Sequence, residues 1–193
     1  MKNGGRDEDA GGAVLSTLRY VDRRVLRSIG GREVSRATDA LSGRTVLYKS
    51  APRIEALREA RALLEAAPEA APRLLDFGHL NESRSFLVME WLDGRSLLEA
   101  SPPAERAAAI AVTLSARLTR LHRSGWVHSD LKPANLLLTD DEAELRLIDF
   151  GFAFRADQGP EEEQARGGSV GYAAPELARG WRVDARIDQY SLG

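Results

Sequence analysis

The sequence predicts an α+β fold, and three observations carry that expectation. Val46-Leu47-Tyr48-Lys49 and Phe86–Leu92 read as strands in the first half of the chain. Between them, Pro52–Ala67 has a helical composition, with proline suited to a first turn and Pro68 marking the end. In the second half, Ile110, Leu114, Leu118 and Leu121 recur every three or four positions and give a longer helix one apolar face.

The chain has 193 residues, 43% of them hydrophobic, enough to bury a core as one domain or two small ones. Its 27 basic and 29 acidic residues leave a formal net charge of −2, which argues against a dedicated nucleic-acid or membrane-surface binder. Cysteine is absent, which excludes disulfides and thiolate metal sites and fits a reducing compartment. The best apolar run, Ala107–Leu114, is too short to span a membrane, and the N-terminus lacks the apolar core of a signal peptide. A cytoplasmic location is therefore expected. There is no internal repeat.

The elements follow in order. Met1–Gly12, rich in Gly, Asp, Glu and Arg, reads as a disordered tail, and the tail region is taken as residues 1–18. Leu41-Ser42-Gly43-Arg44 is a turn ahead of the strand at Val46, and Phe86–Leu92 runs into Asp93-Gly94. Ser101-Pro102-Pro103 opens the longer helix, with Ser101 as its cap and Pro102 in its first turn. Gly125 ends that helix and leads into Trp126-Val127-His128. Leu136-Leu137-Leu138 reads as a short strand, residues 139–143 as a turn and Leu145-Arg146-Leu147-Ile148 as the return strand. In an antiparallel hairpin the start of one strand lies beside the end of the other, so Asn135 and Asp149 are expected to be neighbours.

Those two residues belong to the most informative stretch, His128-Ser129-Asp130-Leu131-Lys132-Pro133-Ala134-Asn135 followed by Ile148-Asp149-Phe150-Gly151. It supplies three side chains that phosphoryl transfer from a metal-bound nucleotide needs: Asp130 as base, Asn135 and Asp149 as magnesium ligands. The stretch resembles the catalytic and metal-binding loops of the protein kinase family, which read H-R-D-L-K-P-x-N and D-F-G. Downstream, Gly168-Ser169-Val170-Gly171-Tyr172-Ala173-Ala174-Pro175-Glu176 resembles the family's substrate-binding segment with its A-P-E motif. Asp188-Gln189-Tyr190-Ser191-Leu192-Gly193 resembles the start of its central large-lobe helix. The resemblance runs from about Tyr20 to the last residue. It implies a protein kinase-like two-lobed fold. A small antiparallel β-sheet lobe with one helix would cover residues 19–91. A mainly helical lobe, incomplete because it stops within its central helix, would cover 92–193.

The resemblance also implies roles. Lys49 matches the nucleotide-phosphate lysine, which needs a carboxylate partner, and Glu55, Glu59 and Glu65 are the candidates. Glu59 is preferred because Leu63, four positions on, shares its helix face and can pack inward beneath it. Glu55 and Glu65 are expected to be solvated. Met89 would stand at the back of the nucleotide pocket, the backbones of Glu90 and Leu92 would bond the adenine, and Leu47 and Leu137 would be its roof and floor. The segment is equally readable as an ordinary core strand, and both can hold.

Two departures stand out. The family's glycine-rich loop, G-x-G-x-x-G-x-V, is reduced to Ile29-Gly30-Gly31-Arg32-Glu33-Val34, read as a shortened turn that covers less of a triphosphate, with Arg32 adding a positive charge. Leu47 stands where the family usually has alanine. Overpacking of that kind costs on the order of 1–3 kcal/mol, at the upper end roughly a hundredfold in affinity.

In the large lobe, Asp130 would accept or orient the proton of a substrate hydroxyl, and Lys132 would neutralise charge on the transferring phosphoryl group. Lys132 and Ser169 match the family's serine/threonine-type pattern. His128 is expected to pack beneath Phe150 rather than act as an acid or base. Ser129 replaces the arginine that pairs with a phosphorylated activation loop, and residues 152–168 contain no Ser, Thr or Tyr, so no dependence on such a phosphate is expected. Glu161-Glu162-Glu163 is a solvated charge run or a standing phosphate mimic, with Arg155 or Arg166 as partners. Asp188 would bond the catalytic-loop backbone, and the arginine that pairs with Glu176 in the family would lie beyond Gly193.

The expected function is a serine/threonine protein kinase-like phosphotransferase using ATP and Mg2+, with a Ser/Thr-bearing protein as partner and neither nucleic acid nor membrane. The alternative is a pseudokinase, a binding or scaffold module with weak or no turnover. A small-molecule kinase shares the aspartate–asparagine logic, but Ala174-Pro175-Glu176 argues against it.

Overall fold

The computed structural model describes residues 18–66, 70–139, 144–160, 169, 171–180 and 183–192. The expected tail apart from Leu18 lies outside these residues, as do Ala67, Pro68, the 140–143 turn, Glu161-Glu162-Glu163, Arg166, Gly168, Val170 and Gly193. The chain separates into two compact units, one running to Ala60 together with Arg73–Trp91, the other comprising Arg61–Pro72 and the stretch from Leu92 onward.

The first unit is built on an antiparallel sheet of β1 (Tyr20–Ile29), β2 (Arg32–Asp39), β3 (Thr45–Pro52), β4 (Leu74–His79) and β5 (Arg84–Glu90), in the order β1-β2-β3-β5-β4. The period of two along each strand sorts side chains onto two faces. One face carries the buried cluster Tyr20, Ala37, Val46, Tyr48, Phe86 and Val88, with the Tyr48 and Phe86 rings stacked at 5.5 Å. The alternate residues, paired Leu47 with Met89 and Lys49 with Leu87, share the opposite face. Helix α1 (Arg53–Glu65) follows β3 directly. Pro52 is the last residue of β3 rather than part of the helix, because its ring leaves the strand ladder at Arg84 and starts the turn into α1.

In the second unit, β6 (Gly94–Ser96) leads into a short helix α2 (Leu97–Ala100), and then α3 (Ala107–Arg123), β7 (Trp126–Val127), β8 (Leu136–Thr139), β9 (Leu145–Leu147) and β10 (Phe154–Arg155) follow. Strands β6, β8 and β9 form one sheet in that order, and β10 pairs with β7. Gly94 is required where it stands, since a Cβ there would collide with the Leu138 carbonyl. Two short helices close the described chain, α4 (Pro175–Ala178) and α5 (Arg186–Leu192). Val127, Phe154, Ala174, Leu177, Val183 and Ile187 make a buried cluster in this unit.

Ser101 does not cap the long helix. Ser96 and Glu99 form a capping box that starts α2 upstream, and Ser101, at φ 41°, ends that helix in the left-handed conformation. A 3-10 turn over Ala104–Arg106 then leads into α3, which has no side-chain cap. The α3 stripe packs as its spacing requires: Leu114, Leu118 and Leu121 are buried and Ile110 is half-buried. Among the described residues no helix is long and apolar enough to cross a membrane.

An ion cluster ties the start of β1 to β2 and β4. Arg19 donates to Asp39 at 3.0 Å and to Asp76 at 3.2 Å, and the Tyr20 hydroxyl donates to Asp76. Burial, then the bond to Asp76, pushes the Tyr20 phenol up. The bond from Arg19, helped by Ser42 and the Leu41 N–H, brings the Asp39 carboxyl down from 3.8 to about 2. A carboxyl lowered by folding contributes stability above its ordinary value and loses it as pH falls through the folded value. Asp39→Asn is expected to cost about 1 kcal/mol at neutral pH, Arg19 being partly exposed. In urea unfolding, the gap between variant and parent should close as the pH falls from about 4 to 2.

Candidate active site

The loop from His128 to Asn135 connects β7 to β8 and is fixed from behind by one buried carboxylate. Asp188, on the first turn of α5 and fully buried, accepts the His128 N–H at 2.9 Å and the Ser129 N–H at 2.8 Å. His122, on the last turn of α3, meets the same carboxylate at 2.8 Å through Nε2, which must be the donor because a carboxylate only accepts. Charge-assisted bonds of this kind are the strong ones. They hold Ser129 at φ 69°, a left-handed conformation that non-glycine residues adopt only under constraint. The Ser129 hydroxyl is buried without a hydrogen-bond partner among the described residues.

His128 is locked into one tautomer. Its Nε2–H donates to the Ile148 carbonyl at 3.1 Å, and its Nδ1 accepts the Asp130 N–H at 3.3 Å. Both nitrogens are committed, and the ring is fully buried 4.8 Å from that of Phe150, tilted by 56° rather than parallel. This is a packing residue.

Asp130 is buried and its carboxylate is oriented by three donors. Lys132 Nζ lies 2.7 Å from Oδ2, the Asn135 amide 2.9 Å from Oδ2, and the Ser169 hydroxyl 2.9 Å from Oδ1. Lys132 also donates to Ser169 at 2.6 Å, so the lysine bridges the catalytic loop and the segment ahead of α4. The contact of Ser169 with both groups was not visible in the sequence beyond its place in a family pattern, since 39 residues separate it from Asp130.

Asn135 directs its amide N–H groups at the Asp130 carbonyl and carboxylate, which turns Oδ1 the other way as an acceptor. The β8–β9 register pairs Leu136 with Leu147, and one step further the Ile148 N–H donates to the Asn135 carbonyl at 3.0 Å. Asn135 is thus brought beside Ile148-Asp149, and Asp149 itself takes a left-handed φ of 64°. Among the described residues no group of three or more His, Cys, Asp or Glu side chains is placed to hold a metal. An Asn oxygen with one neighbouring carboxylate is the sparse, hard donor set that suits Mg2+ when phosphate and water supply the rest. Leu137 is half-buried on β8, opposite Arg146 and Ser96.

The first unit holds the other expected residues. Lys49 Nζ contacts Glu59 at 2.7 and 3.0 Å, with side chains only 8% and 3% exposed. Leu47 is half-buried opposite the buried Met89. The Glu90 N–H donates to the Arg73 carbonyl at 3.0 Å, so a backbone contact from Glu90 to a ligand falls to its carbonyl. Leu92 lies across the unit boundary.

One expectation is corrected here. Glu55 is not solvated: Arg32 forks onto it at 2.6 and 2.8 Å. Glu65 is exposed as expected, and it accepts from Arg61 at 2.7 Å and Arg155 at 3.3 Å; the Arg61 bond, with Arg155 adding charge, holds its carboxyl below the ordinary range. The glycine turn closes a hairpin: β1 and β2 pair Ile29 with Arg32 and Arg27 with Val34 around a tight Gly30-Gly31 turn with φ 57° and 74°. Counting back from Val34 through G-x-G-x-x-G-x-V, the positions of the three glycines carry Arg32, Ile29 and Arg27.

Residues 35–193 match the protein kinase domain family, a match that begins just after this altered turn. The chain belongs to the protein kinase family. It is 35% identical over 191 residues to a DNA damage-responsive serine/threonine-protein kinase of Deinococcus radiodurans, covering 91% of this chain and 28% of that protein. A probable serine/threonine-protein kinase of Streptomyces coelicolor is 34% identical over 195 residues, 91% of this chain and 29% of that one. The serine/threonine-protein kinase PknB of Mycolicibacterium smegmatis is 38% identical over 116 residues, 56% of this chain and 18% of its own length. The chain therefore spans less than a third of the length of these relatives.

Asp188→Ala leaves two buried backbone N–H groups without an acceptor. It is expected to destabilise the chain by about 2–6 kcal/mol, at roughly 1–3 per lost partner. Equilibrium urea unfolding measures it, and a loss below half a kcal/mol would mean that water replaces the carboxylate.

Proposed function

We propose that the chain is the catalytic domain of a serine/threonine protein kinase, transferring the γ-phosphoryl group of ATP to a Ser or Thr hydroxyl of a protein substrate. The observation that carries this reading is the Asp130 carboxylate, buried, ionically paired and aimed by Lys132, Asn135 and Ser169. A carboxylate held this way can accept a hydrogen bond from an incoming hydroxyl and align it for in-line attack. Lys132 is close enough to the same oxygens to offset negative charge gathering there. When bound, Mg2+ would neutralise charge on the phosphoryl oxygens, with Asn135 Oδ1 and the Asp149 carboxylate as its protein donors. Lys49, kept extended by Glu59, is the cation suited to the nucleotide's phosphates. What the chain contributes is positioning and charge stabilisation. The names of the relatives support serine and threonine as acceptors.

A binding module without turnover is the second reading. It draws on Leu47 beside Met89 and on the side chains at the glycine positions, all of which crowd a nucleotide. Nucleotide binding with no phosphoryl transfer would favour it.

Asp130→Asn keeps the volume and removes the charge. It is expected to lower the rate of ATP-dependent labelling of a generic protein substrate by about 10²- to 10⁴-fold, with ATP affinity little changed. Equal labelling by both forms would remove Asp130 from the mechanism.

A further inference from the structure

The β1–β2 turn is tied down at two points that the family's glycine pattern gives no reason to expect. Arg32, the first residue of β2, donates from Nε and Nη2 to both oxygens of Glu55 on the first turn of α1, at 2.6 and 2.8 Å. Arg84, the first residue of β5, donates from Nη1 to the Gly31 carbonyl at 2.5 Å and from Nη2 to the Ser50 hydroxyl at 3.0 Å. Glu55 precedes Glu59 by one helical turn, so both carboxylates stand on one face of α1. That face meets two cations from adjacent strands, Arg32 from β2 and Lys49 from β3.

Glycines in a phosphate-covering loop leave its backbone free to move as well as to approach a ligand. With Arg27, Ile29 and Arg32 at those positions, the hairpin keeps one register from the Arg27–Val34 pair to its two-residue turn, beyond an irregularity between Val25 and Arg27. A lone exposed ion pair holds little. The two ties here differ in that respect: the Arg–carboxylate contact is a bidentate fork, and the second bond anchors a backbone carbonyl of the turn itself.

We infer that Arg32, Glu55 and Arg84 form a clasp that holds the Gly30-Gly31 turn in one position before nucleotide arrives, and that they act as positioning residues for the nucleotide's phosphates. The clasp stands on the geometry alone, while its role toward phosphates rests on the ATP reading above. A turn ordered in the free protein loses less conformational freedom on binding, so the clasp favours affinity without touching the chemical step. The fork is exposed, with Arg32 45% accessible, so salt weakens it.

The test has two arms. In the nucleotide-free protein, amide hydrogen exchange across Ile29–Val34 is expected to accelerate about tenfold in Glu55→Ala and in Arg84→Ala. The charge swap Arg32→Glu with Glu55→Arg should restore protection and guards against a single variant that fails to fold. Unchanged exchange in both single variants overturns the clasp. In the second arm, Mg-ATP affinity is expected to fall about three- to tenfold in the same single variants, with kcat unchanged. Faster exchange with unaltered ATP affinity overturns the positioning role. A parent chain that binds no ATP removes the kinase reading itself, and the exchange arm then decides the clasp on its own.

Discussion

The buried carboxylate of Asp188 is the constraint on which the site depends. A fully buried charge is tolerated only with its lone pairs satisfied, and here three donors converge on it: two backbone N–H groups of the catalytic loop and the His122 ring. The relation works in both directions. The loop needs an acceptor for N–H groups that its irregular path leaves unpaired, and the buried carboxylate oxygens need those donors in place of water. Removing either side leaves the other uncompensated, which is how a residue sixty positions downstream fixes the geometry at His128.

From that anchor the site is assembled by short steps. Ser129 is held left-handed, so the chain reverses and Asp130 leaves the loop in a set direction. The Asp130 N–H then closes on His128 Nδ1, and its carboxylate collects Lys132, Asn135 and Ser169. Each partner is itself restrained. Asn135 is pinned by its carbonyl to Ile148, and Lys132 is shared with Ser169. Fixing the donors before any substrate arrives is what makes a site of fixed dipoles effective, since no reorganisation is left for the reactive moment. The left-handed φ of Asp149 belongs to the same economy of constraint, with Phe150 buried against His128 behind it.

Much of this was legible in the sequence where the determinants are local. The β8–β9 hairpin follows from two apolar runs around a polar turn, and its register alone brings Asn135 to Ile148. The kinase resemblance marked Leu47 and Lys49 on β3, and the helical spacing singled out Glu59 over its neighbours. What escaped depends on which element packs against which. Ser101 looked like a helix cap because Pro102 and Pro103 follow it. Only the competing box of Ser96 and Glu99, three residues apart, decides that a separate short helix precedes the long one and stops at Ser101. Glu55 looked solvated because nothing in a helical wheel announces an arginine arriving from another strand.

Helix α1 shows how burial divides the work among ion pairs of the same chemistry. Lys49–Glu59 is almost wholly removed from solvent, so desolvation offsets most of its Coulomb attraction and its value lies in fixing where the lysine points. Arg155–Glu65 and Arg61–Glu65 are exposed, share one carboxylate and respond to salt. Arg32–Glu55 is also partly exposed, its guanidinium 45% and its carboxylate 18% accessible. A buried pair cannot be adjusted by solution conditions and an exposed one is adjusted by little else. A half-covered fork beside a turn is therefore the pair through which ionic strength can act on the turn while leaving the Lys49–Glu59 contact in place.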